Sequence, residues 1–155
     1  MAAMAVLKIV TGEEKKILRT VTTPVGEITP EVIQLLKDME ATTVDADGLG
    51  LAAPQVNSTA RVCIARVKGR LTPLINPKIT WKSAITETSE EGCLSLPGVW
   101  VPVSRAVEIT VTFLTPKGEQ RELTLKDMDA RVVQHETDHL DGKLIIDYVS
   151  AATVL

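Results

Sequence analysis

Apolar residues recur at two different periods along this chain, and the changes of period divide it. Val32, Ile33, Leu35, Leu36 and Met39 share one helical face. Thr29, Pro30 and Glu31 precede them as a capping hydroxyl, a proline at the first helical position and an acid in the first turn. The spacing predicts a helix that ends before Asp47-Gly48. Upstream, residues 5–10 predict a short strand or extended entry, and Glu13 to Arg19 a short helix among turns. From Arg61 the period becomes that of strands. Arg61–Val67, Leu71–Ile75 and Ile79–Thr88 are rich in β-branched residues, while Val107, Ile109, Val111 and Phe113 alternate strictly with polar neighbours. Pro116 to Glu119 makes a turn into a strand at Gln120–Leu125. Helical spacing then returns. Met128, Val132, His135 and His139 form an i, i+4, i+7, i+11 stripe, read as a face turned inward, and Gly142 is placed to end that helix. Antiparallel strands followed by a C-terminal helix predict an α+β fold, with sheets packed around the helix in a single compact domain over residues 1–155.

Composition narrows the class more than it names it. A chain of 155 residues, 45% hydrophobic and 24% charged, has the make-up of one soluble globular domain. Its net charge of −3 and its 3% aromatic content argue against nucleic-acid binding, which asks for basic surface and stacking rings. No apolar run is long enough to cross a membrane as a helix. Residues 1–10 lack the charged start and length of a signal peptide and the Arg-rich pattern of a transit peptide. Cys63 and Cys93 are too few for a disulfide framework, which suits a reducing compartment. The cytosol is the expected location.

The only two histidines, His135 and His139, stand four residues apart with Glu136 directly after the first. On a helix both imidazoles then project from one face and can share a metal ion. Glu136 can sit beside a metal-activated water as general base. The plain alternative is two unrelated histidines that fall one turn apart, which leaves the intervening glutamate to chance. Asp138 and Asp141 lie beside the stripe and suit a structural role better than one of orienting an imidazole.

A third ligand has few candidates. After His139 only Asp141 and Asp147 remain, and Asp141 points away from the ligand face. A metallopeptidase with a downstream glutamate or third histidine is therefore nearly excluded. An upstream thiolate completes the set, and Cys93, beside a glycine turn, is better placed than Cys63 within a strand. Cysteine plus two histidines leaves a fourth position open for chemistry. Gly48 to Val56 is a second unusual run, with two glycines around a leucine. Alone it reads first as a turn, and second as backbone that lets a ligand approach closely.

Gly48-Leu49-Gly50-Leu51-Ala52-Ala53-Pro54-Gln55, Glu91-Gly92-Cys93-Leu94-Ser95 and Gln134-His135-Glu136-Thr137-Asp138-His139 resemble, in order and spacing, the three signature motifs of peptide deformylases. The resemblance extends over nearly the whole chain. It implies a metal held by Cys93, His135 and His139, commonly Fe(II), with Zn, Ni or Co able to replace it. It implies Glu136 as the acid–base residue, and Gln55 with the backbone N–H of Leu94 as stabilisers of the oxyanion. The implied substrate is a nascent peptide bearing N-formylmethionine. Its backbone would add as a strand against Leu49, Gly50 and Gly92, and its methionine would enter a pocket of Leu94, Met128, Val132 and His135. Beyond that peptide the family implies a transient ribosome contact, with no direct nucleic-acid site and no membrane. The setting would be the cytoplasm of a bacterial or phage-infected cell, an organelle remaining open.

Two departures stand out. Thr137 occupies a position where the family often has a larger apolar residue, which would loosen packing behind the metal. The sequence ends thirteen residues after Gly142, where many bacterial members continue into a long helix. That helix would be missing here, at a cost to stability or ribosome docking. Of the other readings, another metallopeptidase lacks a downstream ligand, a closed structural zinc domain lacks a fourth ligand, and a degenerate binding domain would have lost Glu136 or Gln55, which are both present.

Overall fold

The computed structural model describes residues 3–149. After an extended entry and a 3-10 turn at Lys16–Arg19, helix α1 spans Pro30–Asp45. The Thr29 hydroxyl accepts from the Val32 amide, and Pro30 opens the helix, as the capping pattern predicts. Strand β1, Gly50–Ala52, follows, then a 3-10 turn at Ala53–Val56 and strand β2 at Val62–Val67. β3 is Arg70–Lys82, β4 Thr86–Cys93, β5 Leu96–Ala106, β6 Glu108–Leu114 and β7 Gln120–Lys126. Helix α2, Asp127–Leu140, and a 3-10 turn at Ile145–Tyr148 close the described chain.

The strands form two antiparallel sheets. One has five strands in the order β1-β2-β3-β6-β7; the other is the β4–β5 hairpin. The larger sheet is covered on both sides, and its sequence shows it. Along β2, Val62 and Ile64 join Leu36 and Met39 of α1 in one core. Cys63 and Ala65 join Ala130, Val133 and Leu140 of α2 in the other. Each fully buried aliphatic side chain contributes roughly 1.5–3 kcal/mol, so a strand apolar on both faces is held by both helices. A third core, with Leu18, Val101, Val103, Leu144 and Ile145, fastens the hairpin to the two ends of the described chain. Gly142 does end α2, at φ 75°, and a methyl there would lie 2.6 Å from the Arg19 carbonyl oxygen.

Several expectations need correction. Leu71–Ile75 and Ile79 belong to one long strand, β3, whose register shifts at two places. The predicted strand Ile79–Thr88 is broken by the bend at Ser83–Ile85, beyond which β4 begins a different sheet. β5 was not anticipated, because Pro97, Gly98 and Pro102 lower its strand propensity. A two-stranded sheet leaves each strand with one unpaired edge, where a missing N–H costs nothing. The predicted helix at Glu13–Arg19 is only the 3-10 turn, and residues 5–10 are extended but pair with no strand. The stripe on α2 is not inward throughout: Met128 is 57% exposed. The expected absence of a C-terminal helix concerns residues 150–155, which lie outside those described.

Candidate active site

Three elements converge between the two sheets. α2 carries His135 and His139 with ring centroids 5.0 Å apart. The end of β4 brings Cys93, whose Sγ is 3.3 Å from His139 Nε2. The donor atoms of Cys93, His135 and His139 all lie within 4.8 Å of one another. Of the two cysteines the structure thus brings Cys93 to the histidines. Cys63 is fully buried in the α2-side core, and burial holds its thiol well above the usual range.

His135 is aimed by a carboxylate. Its Nδ1 lies 2.8 Å from Glu91 Oε1, which leaves Nε2 directed at the site. Two positions along a strand separate Glu91 from Cys93, so ligand and support share a face of β4. Glu91 is held in turn by Arg105 through two bonds of 3.0 and 2.9 Å and by Arg131 at 2.6 Å. Burial opposes ionisation of Glu91, but the hydrogen bonds and charges of Arg105 and His135 outweigh it and hold the carboxyl far below the ordinary range. Arg105, only 4% exposed, also binds Asp138 at 2.5 Å and the Tyr148 hydroxyl at 3.2 Å. Asp138 and Asp141 therefore serve structure, as expected: Asp141 pairs with Arg61, and neither touches an imidazole. The supporting roles of Glu91, Arg105 and Arg131 were missed. Only the alternation of Glu91 with Cys93 could have pointed to the first.

Glu136 faces the other way, toward β1. A methyl on Gly50 would come within 2.5 Å of its Oε2 and 2.8 Å of the Ile64 carbonyl oxygen, so glycine makes room for the acid. Burial pushes the Glu136 carboxyl up to about 7, against the pull of His135 and Arg105. Gln55 is buried with its orientation set from both ends. Its Oε1 accepts from the Ala52 amide at 2.9 Å, and its Nε2 donates to Ser95 Oγ at 3.1 Å, with Cys93 Sγ 3.8 Å away. The amide N–H side therefore faces the Cys93 sulfur. Leu94 and Ser95 form the turn joining β4 to β5. Thr137 is buried, and its hydroxyl donates to the Val133 and Gln134 carbonyls of its own helix.

These residues suit a divalent ion. A thiolate and two imidazoles are the donors borderline metals take. Glu136 Oε1 and His139 Nδ1 are buried with no hydrogen-bond partner among the described residues. The histidines differ before a metal binds. Burial lowers both, but hydrogen bonds to Cys93 and Glu91 carry His135 up to about 10. For His139 burial wins, helped by the charges of His135 and Arg105, and holds it well below the usual imidazole range. A cleft of about 560 Å³ opens onto the site, and Leu49, Gly50, Gly92, Leu94, Met128 and Val132 all line it.

Two imidazoles and a cysteine sulfur grouped closely enough to hold one ion, with a buried acid beside them, fit a class: the mononuclear metallohydrolases. The particular family comes from comparison. Residues 6–154 match the polypeptide deformylase family model, and the chain belongs to that family. Its members are metal-dependent hydrolases that remove N-formyl groups from nascent peptides. The peptide deformylase of Nitrosococcus oceani is 42% identical over 150 residues, 95% of this chain and 89% of that protein. The one from Pseudothermotoga lettingae is 41% identical over 136 residues, 88% of this chain and 79% of the relative. Among solved structures, a class I type b peptide deformylase of Acinetobacter baumannii bound to Met-Ala-Ser superposes with a TM-score of 0.90 at 32% identity, covering 95% of this chain and 100% of its own. The peptide deformylase of Thermotoga maritima gives 0.89 at 37% identity, covering 96% and 99%.

Proposed function

We propose that this chain removes formyl from N-formylmethionyl peptides by hydrolysis, using Cys93, His135 and His139 to hold one divalent ion, Fe(II) in the cell and replaceable by Zn, Ni or Co. The observation that carries the proposal is the convergence of those three donors within 4.8 Å beside a buried acid that is not one of them. When bound, the ion supplies a Lewis acid that polarises the formyl carbonyl and acidifies water. The rest is the work of this chain's residues. Glu136 takes a proton from the attacking water as its oxygen bonds to the formyl carbon. It returns that proton to the nitrogen as the C–N bond breaks, releasing formate and a free amine. An acid near 7 suits both transfers. The Gln55 amide and the Leu94 N–H donate to the oxygen on which charge develops. The substrate backbone adds as a strand between Leu49–Gly50 and Gly92, and its methionine enters the apolar cleft toward Leu94, Met128, Val132 and His135.

The catalytic domain takes the whole chain, residues 1–155. A nascent-peptide substrate places the enzyme in a cytoplasm and in transient contact with ribosomes. Bacterial relatives support that setting, as does the absence of a helix long and apolar enough to cross a membrane among the described residues. The test is the purified, anaerobically iron-loaded protein on formyl-Met-Ala and acetyl-Met-Ala. Formate released from the first and no acetate from the second is the expected result. Equal hydrolysis of both, or of neither, would defeat the proposal.

A further inference from the structure

Arg105 grips the carboxylate that aims His135, and its own head is held from outside the cleft. On β5 it stands opposite Glu87, so its side chain must run along the hairpin to reach Glu91 further along β4. Its Nε and Nη2 donate to the two Glu91 oxygens at 3.0 and 2.9 Å, and Glu91 Oε1 meets His135 Nδ1. Nη1 is divided between Asp138 of α2 and the Tyr148 hydroxyl, 3.2 Å away. The same hydroxyl donates to Asp138 Oδ2. The N–H donors of a guanidinium lie in its plane and leave its two faces unheld. The Tyr148 ring covers one face, with Arg105 Cζ 4.9 Å from the ring centroid.

The 3-10 turn that carries Tyr148 is itself anchored. Leu144 and Ile145 are buried with Val101 and Val103 of β5. Side chains three apart eclipse on a 3-10 helix, so Tyr148 follows Ile145 onto the hairpin side. Asp147 fastens the turn by accepting from the Leu144 amide and from Arg19. The ring therefore reaches Arg105 on a braced support, and Tyr148 is not among the residues lining the cleft. We propose that Tyr148 is a positioning residue for the metal site: it holds the Arg105 guanidinium where it grips Glu91 at both oxygens, and Glu91 fixes the His135 ring toward the ion. Without the aromatic face the guanidinium can tilt toward Asp138 and loosen Glu91. The His135 ring then gains freedom that metal binding must remove. Tyr148 touches none of the three donors, so its effect falls on metal retention. This inference rests on the three-donor metal site of the deformylase reading.

The experiment titrates metal-free parental protein, Tyr148→Leu and Tyr148→Phe with Co(II) against a competing chelator. The readout is the sulfur-to-cobalt charge-transfer absorption, with a denaturant melt of each metal-free protein alongside. Tyr148 is 41% exposed and leucine keeps much of its apolar bulk, so both variants should fold. Tyr148→Leu should bind Co(II) about tenfold more weakly than the parent. Tyr148→Phe, which keeps an aromatic face over Arg105, should recover most of that loss. A packing role alone would shift the melt and leave the affinity of the folded protein unchanged. Equal affinity in parent and Tyr148→Leu, or no recovery in Tyr148→Phe, would overturn the inference while leaving the metal site standing. A parental protein that takes up no Co(II) would overturn both.

Discussion

Glu136 and Cys93 show how much one side chain's surroundings decide. Glu136 is not among the clustered donors, yet it is buried beside them and pushed up to about 7. Glu136→Ala should therefore keep its metal, by elemental analysis, while formate release falls by about 10²–10⁴-fold. Near-parental turnover would remove its acid–base role. The two cysteines make a paired test. Cys93→Ser replaces a soft thiolate by a hydroxyl that ligates poorly at neutral pH, so metal should be weakened or lost. Cys63→Ala should keep full metal content and lose only about 1 kcal/mol in a denaturant melt, the scale of a small core deletion. The reverse pattern would overturn the ligand set. At this scale the sequence was informative, since spacing and residue type singled out both histidines, Glu136 and Cys93. Glu91 escaped because its meaning lies in partners: Arg105 on the neighbouring strand and Arg131 and His135 on α2.

Between elements, the decisive contact is the close approach of β1 to α2. Gly50 carries no side chain where Glu136 Oε2 and the Ile64 carbonyl oxygen both crowd its α-carbon. Gly50→Ala would place a methyl 2.5 Å from Glu136 Oε2 and 2.8 Å from that backbone oxygen, and neither can yield freely. Overpacking of this kind costs about 1–3 kcal/mol. The melt should shift by that amount, and formate release should fall because the acid is displaced. A variant with parental stability and turnover would show that the two elements can separate. The glycine run was legible as unusual in the sequence, but its plainer reading as a turn is superseded by a short strand and a 3-10 turn. β5 was illegible for a definite reason. Prolines and glycine suppress strand propensity, and only the unpaired edge of a two-stranded sheet makes them acceptable.

Across the whole molecule, charge is buried where the two sheets and α2 meet. Arg105, Glu91 and Arg131 come from three elements, and all are mostly out of water. Removing one partner of such a cluster costs about 3–5 kcal/mol because the remaining charge stays buried. Glu91→Gln should destabilise the protein by that amount at pH 7. The folded-state pKa of Glu91 lies below the ordinary 4.5, so its stabilisation is complete above that value. It is lost as pH falls from there through the folded pKa. Denaturant melts of parent and variant at pH 7 and pH 3 should show the gap narrowing at the lower pH. A gap independent of pH would mean that the carboxylate's charge does not contribute.

By itself the sequence determined the class of chemistry and the α+β layout. A His-Glu pair one turn from a second histidine is a local pattern, and helical geometry alone places both rings on one face. The apolar period of β2 and of α1 is likewise local. What only the tertiary structure decided was which side chains meet. Arg105 stands opposite Glu87 in the register of β4 against β5 yet its guanidinium reaches Glu91, Gln55 turned its amide to Cys93 through the Ala52 and Ser95 contacts, and Met128 left the core for the cleft lip. The physical reason is range. Periodicity is set by neighbours within a turn or two, whereas a buried ion pair or an exposed methionine depends on strands brought together from distant parts of the chain.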